Sequence, residues 1–258
     1  MTAMIVAVDR PAGPSLFTLA LVELRKMVDT RAGRWLLAFV ALLGVALVGV
    51  VLFAAPRHIR TMPELYSASL AGVGILLPVV GVLSVTSEWS QRTALATFTL
   101  VPGRGRVLAA KVVAASLLAA VCVAACAVAA WAGRALGAVL DRTDAGWGVP
   151  PQMLATTLLA AVLGVLAGVA FGMVFLNSPL AIVMSFLLPI AWSVLGETVS
   201  ALEGAAQWLD TGRTTAPLVE AGGRLTPRAW AQLATSQAVW LLLPLLIGFF
   251  RVTRREVK

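Results

Sequence analysis

Charge is what this sequence has least of: 12% of its 258 residues are Asp, Glu, Lys or Arg, where a soluble domain of this size carries about 25%. That deficit excludes a surface facing water on all sides. Histidine is nearly absent, and the single His58 removes most zinc and Ser-His chemistries. No G-x-x-x-x-G-K-[ST] loop occurs, so nucleotide phosphates are not cradled by that route; Gly103-Arg104-Gly105 is only a turn with a basic residue. No paired carboxylates face each other in the apolar runs, and no charged residue lies near the middle of one. The first absence argues against an enzyme and against a metal or cofactor held by this chain. The second argues against a pump driven by an ion gradient. Cysteine is limited to Cys122 and Cys126, four apart on one helix face, where disulfide geometry is not easily reached; they read as packing residues. No cleavable leader is expected either, because Asp9 and Pro11 to Pro14 precede an amphipathic stretch instead of a compact apolar core.

What the chain does have is apolar length. It is 60% hydrophobic with mean hydropathy +0.93, and six spans of roughly 20 residues use about half of it. The expected spans are 35–54, 65–86, 107–132, 152–176, 180–195 and 229–250, which gives an all-α integral membrane fold in one domain. Residues 15–34 form an amphipathic helix with Phe17, Leu21, Leu24 and Val28 on one face and Glu23, Lys26, Thr30 and Arg34 across from them. Too charged to span, it is expected at the interface with its basic side toward lipid phosphates. Residues 87–106 form the longest polar connection between the second and third spans. Residues 133–151 form a loop, Asn177-Ser178-Pro179 a tight turn, and 196–228 a mixed segment of short helices or a partly re-entrant loop.

The net charge is +8 and the pI about 11.0, values that in a soluble protein suggest nucleic acid. Their distribution says otherwise. The N-terminal region, the 87–111 region, the Asn177 turn and the tail hold 13 Lys and Arg against five acids, while the other side holds seven of each. The whole excess lies on one side, which the positive-inside rule makes cytoplasmic. Both termini are then cytoplasmic, 196–228 is extracellular, and no nucleic acid is implied.

The stretch from Glu88 to Lys111, EWSQRTALATFTLVPGRGRVLAAK, allows a short helix to about residue 100, broken at Pro102-Gly103. It is either a device that passes force from a cytoplasmic partner to the spans or an ordinary loop anchored by its arginines. Glu88, Trp89, Thr93, Pro102, Arg104, Arg106 and Lys111, with the upstream LVELRK segment from Leu21 to Lys26 and Asp29-Thr30-Arg31, resemble the type-2 ABC transporter permeases. Arg92 stands where that family commonly has glycine. The sequence-level likeness covers about the first 111 residues; the rest is likeness of topology.

The resemblance implies a bacterial inner-membrane exporter subunit, and the Ala-, Val- and Arg-rich composition suits a high-GC bacterium. It implies a second permease copy, identical or related, and separate ATP-binding subunits that carry ATP and Mg. Glu88, Trp89, Arg92, Thr93, Arg104 and Arg106 would contact the ATPase, while Glu23, Lys26 and Arg31 belong to the interfacial helix. The cargo would be hydrophobic or amphipathic: a drug, an antibiotic or a lipid. A non-transporting scaffold or resistance protein that recruits a cytoplasmic partner, or a membrane-embedded enzyme, are the alternatives.

Gly164, Gly168 and Gly172 lie four apart and form a smooth helix groove for close packing, within the chain or against another. Trp35 and Trp89 at one boundary, and Trp131 and Trp147 at the other, read as interface anchors. His58, beside Arg57 and Arg60, reads as a solvated loop residue, and Glu197 as a headgroup-level carboxylate.

Overall fold

The computed structural model describes residues 14–91, 104–143, 146–220 and 225–254. Among these residues no strand occurs, and six helices are long and apolar enough to cross a membrane. The described residues form an all-helical fold of the multi-pass membrane type.

Helix α1 (Leu16–Asp29) begins where the Ser15 hydroxyl accepts from the Thr18 N–H. Thr30 alone separates it from α2 (Arg31–Ala54), the first span, and caps that helix by accepting from the Gly33 N–H at 3.0 Å. The second span is made of α3 (Met62–Ser69) and α4 (Ala71–Ser90). It starts earlier than hydropathy suggests because Thr61 caps it and Pro63 suits a first helical turn.

The third span, α5 (Arg104–Val139), runs well past the loop expected from residue 133. Its length follows from packing. A Cβ on Gly133 would collide with Val48, and one on Gly137 would stand 2.7 Å from Leu52. These glycines therefore seat the third span against the first and do not break it. At about 1.5 Å per residue the helix exceeds a ~30 Å hydrocarbon layer and must project from it. Beyond its end, Asp141 adopts φ 50°, and the Arg57 guanidinium donates to its carbonyl at 2.7 Å.

The fourth span, α6 (Pro151–Phe175), is the centre of the bundle, touching the second, third and sixth spans as well as the fifth, α7 (Ser178–Thr198). Its glycine row faces the second span of the same chain. A Cβ on Gly168 would overlap the Pro78 carbonyl, one on Gly172 would lie 2.9 Å from the Val82 carbonyl, and Gly81 makes the reciprocal approach to Val165. Leu176, at φ 53°, closes the helix, and Asn177 caps the next by accepting from the Leu180 N–H.

Beyond the fifth span lie α8 (Glu203–Leu209) and α9 (Thr211–Glu220), and α9 folds back onto the fourth span. Asp210, 1% exposed, joins them: it accepts from the Ser193 hydroxyl at 2.6 Å and the Arg213 N–H at 3.2 Å. The sixth span comprises α10 (Pro227–Gln237), a wide π turn at Ala238–Leu242, and α11 (Leu243–Arg254). In that turn Trp240 donates its indole N–H to the Leu209 carbonyl at 2.7 Å. The core is formed mainly by the second, third and fourth spans, around Leu77, Leu118 and Val169. The first and fifth spans keep long apolar sides exposed, including Leu42, Val45, Val183 and Ile190.

Candidate functional site

Where α1 meets the second and third spans, four charged side chains come together inside the chain. α1 is turned so that Ala20, Glu23 and Met27 are buried, while Phe17, Leu21 and Val28 are exposed. The polar face expected to meet lipid phosphates thus contributes buried Glu23 and half-buried Lys26 to contacts within the chain, while Phe17, Leu21 and Val28 of the apolar face stay outside and Leu24 packs against the core. The reason lies in the partners. Glu88 sits in the last turn of α4 and Lys111 two turns into α5, so opposite charges wait on both neighbouring helices.

The arrangement alternates in sign. The Lys26 ammonium donates to Glu23 Oε1 at 2.7 Å and to Glu88 Oε1 at 3.0 Å. The Lys111 ammonium donates to Glu23 Oε2 and to the Ser84 carbonyl, and lies 3.1 Å from Glu88 Oε1. Two carboxylates and two ammoniums make a neutral set, which is what permits burial. Lys111 is 2% exposed, and its three contacts use the three protons of an ammonium. Burial tends to lower the Lys26 pKa, but the hydrogen bonds and charges of Glu23 and Glu88 outweigh it and raise it above the ordinary lysine value.

The other residues singled out in the sequence are distributed around this cluster. Trp89 packs partly buried against the core. Arg106 donates to the Pro14 carbonyl at 2.8 Å, a second tie between the third span and the start of α1. Arg31 is exposed and, with Lys26 and Glu88, lines a cavity of about 890 Å³ between α1 and the second span. Arg104 opens α5. Arg92, Thr93 and Pro102 lie outside the described residues. The Gly164 row belongs to the fourth span, away from this cluster.

Glu23, Lys26 and Glu88 thus form one unit with Lys111, which the sequence marks among the permease-like residues without placing it in contact with the others. The signal for it was a single lysine inside the apolar run VLAAKVVAASLL, a position a span keeps charged only when a partner neutralises it. At the opposite end, Arg57, Arg60, Asp141 and Thr143 tie the loop after the first span to that after the third: Arg60 donates to the Arg142 carbonyl and Thr143 to the Arg60 carbonyl. Glu197 pairs with Arg213 at 3.5 Å.

Chemically, the cluster is a set of alternating ion pairs that joins three elements. Among the described residues, no three His, Cys, Asp or Glu side chains come together as metal ligands. What it does is lock three elements at one end of the bundle, immediately before the segment that connects the second span to the third. Comparison of the chain with protein-family models and with curated proteins finds no match.

Proposed function

We propose that this chain is the membrane-spanning subunit of a bacterial inner-membrane exporter of the type-2 ABC kind, moving a hydrophobic or amphipathic substrate outward. ATP and Mg belong to a separate ATP-binding subunit, and a second permease copy completes the pathway. The observation that carries this reading is the ionic cluster of buried Glu23, Glu88 and Lys111 with half-buried Lys26. It makes α1, the end of the second span and the start of the third a single lever, adjacent to the segment expected to meet the ATPase. Segregation of the whole +8 excess to that same side supports a cytoplasmic orientation for both termini.

In this mechanism Arg92, Thr93 and the basic residues Arg104 and Arg106 supply the ATPase contact. Glu88, 9% exposed, anchors that contact to the bundle from within. A push on the contact segment is resisted at the cluster and passes into the second and third spans, and from the second span along the glycine seam to the fourth.

The test is co-purification of the tagged chain from its native membrane in mild detergent, with an Arg92→Glu/Thr93→Ala variant alongside. An ATP-binding protein that elutes with the parent chain and is lost from the variant is the expected outcome. If a folded parent elutes with no ATPase, the exporter reading fails and recruitment of a different cytoplasmic partner takes its place.

A further inference from the structure

A second cavity, of about 600 Å³, lies within the chain between the second, fourth and fifth spans, closed on another side by α9 and the π turn of the sixth. We propose that it is a binding site for a neutral lipid of the monoacylglycerol class: one acyl chain, one ester carbonyl and free hydroxyls. The proposal stands apart from the exporter reading, since binding at this site needs neither transport nor ATP.

Its place in the fold admits lipid. Gly74 stands twelve residues into the second span (Met62–Ser90), which is about 18 Å along the helix and near mid-depth. Ile190, on the rim, is 58% exposed. The opening therefore meets acyl chains, not the aqueous ends of the bundle. The volume falls within the range of about 300–1,000 Å³ usual for small-molecule sites.

Missing side chains create the room. Gly168 is required by helix contact, but Gly74 and Gly164, also on the wall, are not. A Cβ on Gly74 would meet nothing within 4 Å, and one on Gly164 would make an ordinary contact at 3.6 Å. Packing leaves these two glycines unexplained, while an occupant explains them.

The polar groups specify its head. None of the side chains lining the cavity carries a charge, so an ionic headgroup would be left unpaired at this depth. The hydroxyls of Ser185 and Thr215 donate to the carbonyls of Ile182 and Thr211, leaving lone pairs to accept, whereas Thr157, which donates to Met153, already meets the Tyr66 hydroxyl at 2.7 Å. Two backbone carbonyls add to that demand. Pro78 gives no N–H to the carbonyl of Gly74, and Pro189 none to that of Ser185, and both Gly74 and Ser185 line the cavity. Such carbonyls in a bilayer need a donor from elsewhere. Against these acceptors stand two uncommitted donor groups, the half-buried Gln237 amide and the Thr211 hydroxyl, neither of which has a hydrogen-bond partner among the described residues. Acceptors that outnumber these donor groups are the complement of a ligand with free hydroxyls and one ester carbonyl, whose two lone pairs can take both donors.

The full-length chain in phosphatidylcholine vesicles, photolabelled with a diazirine-bearing 1-monoacylglycerol and mapped by mass spectrometry, tests this directly. Labelling is expected on the second and fourth spans and should be displaced by unlabelled 1-monooleoylglycerol but not by oleate. Gly74→Leu, whose side chain enters open space, should abolish it. Gln237→Leu should reduce it about five- to tenfold, the worth of one hydrogen bond. Gly49→Leu, also directed into open space but on the first span, should leave it unchanged. Labelling spread over lipid-facing positions such as Leu42 and Val45, insensitive to both cavity variants or displaced equally by oleate, overturns the proposal. Should Gly74→Leu fail to fold, Gln237→Leu and the oleate competition decide alone.

Discussion

Lys111 is the residue on which most of the cluster depends, because its ammonium meets both carboxylates and a backbone carbonyl while almost wholly buried. Removing one member of a buried ionic set leaves its partner charged and unpaired, at a cost of about 3–5 kcal/mol. Lys111→Met should therefore lower the detergent-solubilised melting temperature by many degrees. Adding Glu23→Gln leaves Lys26 facing Glu88 in a balanced pair, so the double variant should recover much of the loss. Thermal melts of the two single variants and the double close the cycle. Strict additivity would mean that the two side chains do not sense each other, contrary to their contact. Lys26, 42% exposed at its side chain, is a weaker member, and its loss should be milder.

At the scale of elements, the pattern of apolar runs was legible and their ends were not. Each of the six spans appears close to where hydropathy puts it, since some twenty consecutive apolar residues have few other uses. The errors have one cause: glycine and charge mean different things in a packed bundle than in isolation. Gly133 reads as a loop opener, yet it lies mid-helix because Val48 needs the space above it. Glu23 and Lys26 read as a face turned toward lipid phosphates, yet Glu23 is buried and Lys26 half-buried inside the chain, because Glu88 and Lys111, far away in sequence, neutralise them. Neither partner can be inferred from local periodicity. The glycine row of the fourth span was plain as a packing device, but which helix it met required the bundle. Gly168→Leu should be among the most damaging single changes, since the second-span backbone cannot retreat and overpacking costs about 1–3 kcal/mol or more. Gly49→Ala, on an open face, should leave the melting temperature nearly unchanged. Equal effects from the two would remove the seam from the account of stability.

For the whole molecule, the two ends of the bundle differ in kind. One gathers α1, the charge cluster and the end of α11; the other is closed by backbone-directed hydrogen bonds from Arg57, Arg60 and Thr143 and by the folded-back helices α8 and α9. Orientation is testable with single cysteines, because the native Cys122 and Cys126 are buried and should stay silent to a membrane-impermeant maleimide. Gly148→Cys should react on intact cells, and Gln91→Cys only after permeabilisation; the reverse pattern would invert the topology. The charge cluster also has an order in time. Glu23 and Lys26 are synthesised first, Glu88 next and Lys111 last, at a pace of about 5–20 residues per second. When the one lysine that lies inside an apolar run leaves the ribosome, all its counter-charges have already been made. The third helix therefore need not enter the bilayer with a bare ammonium, because α1, made before these six spans, already offers it a carboxylate.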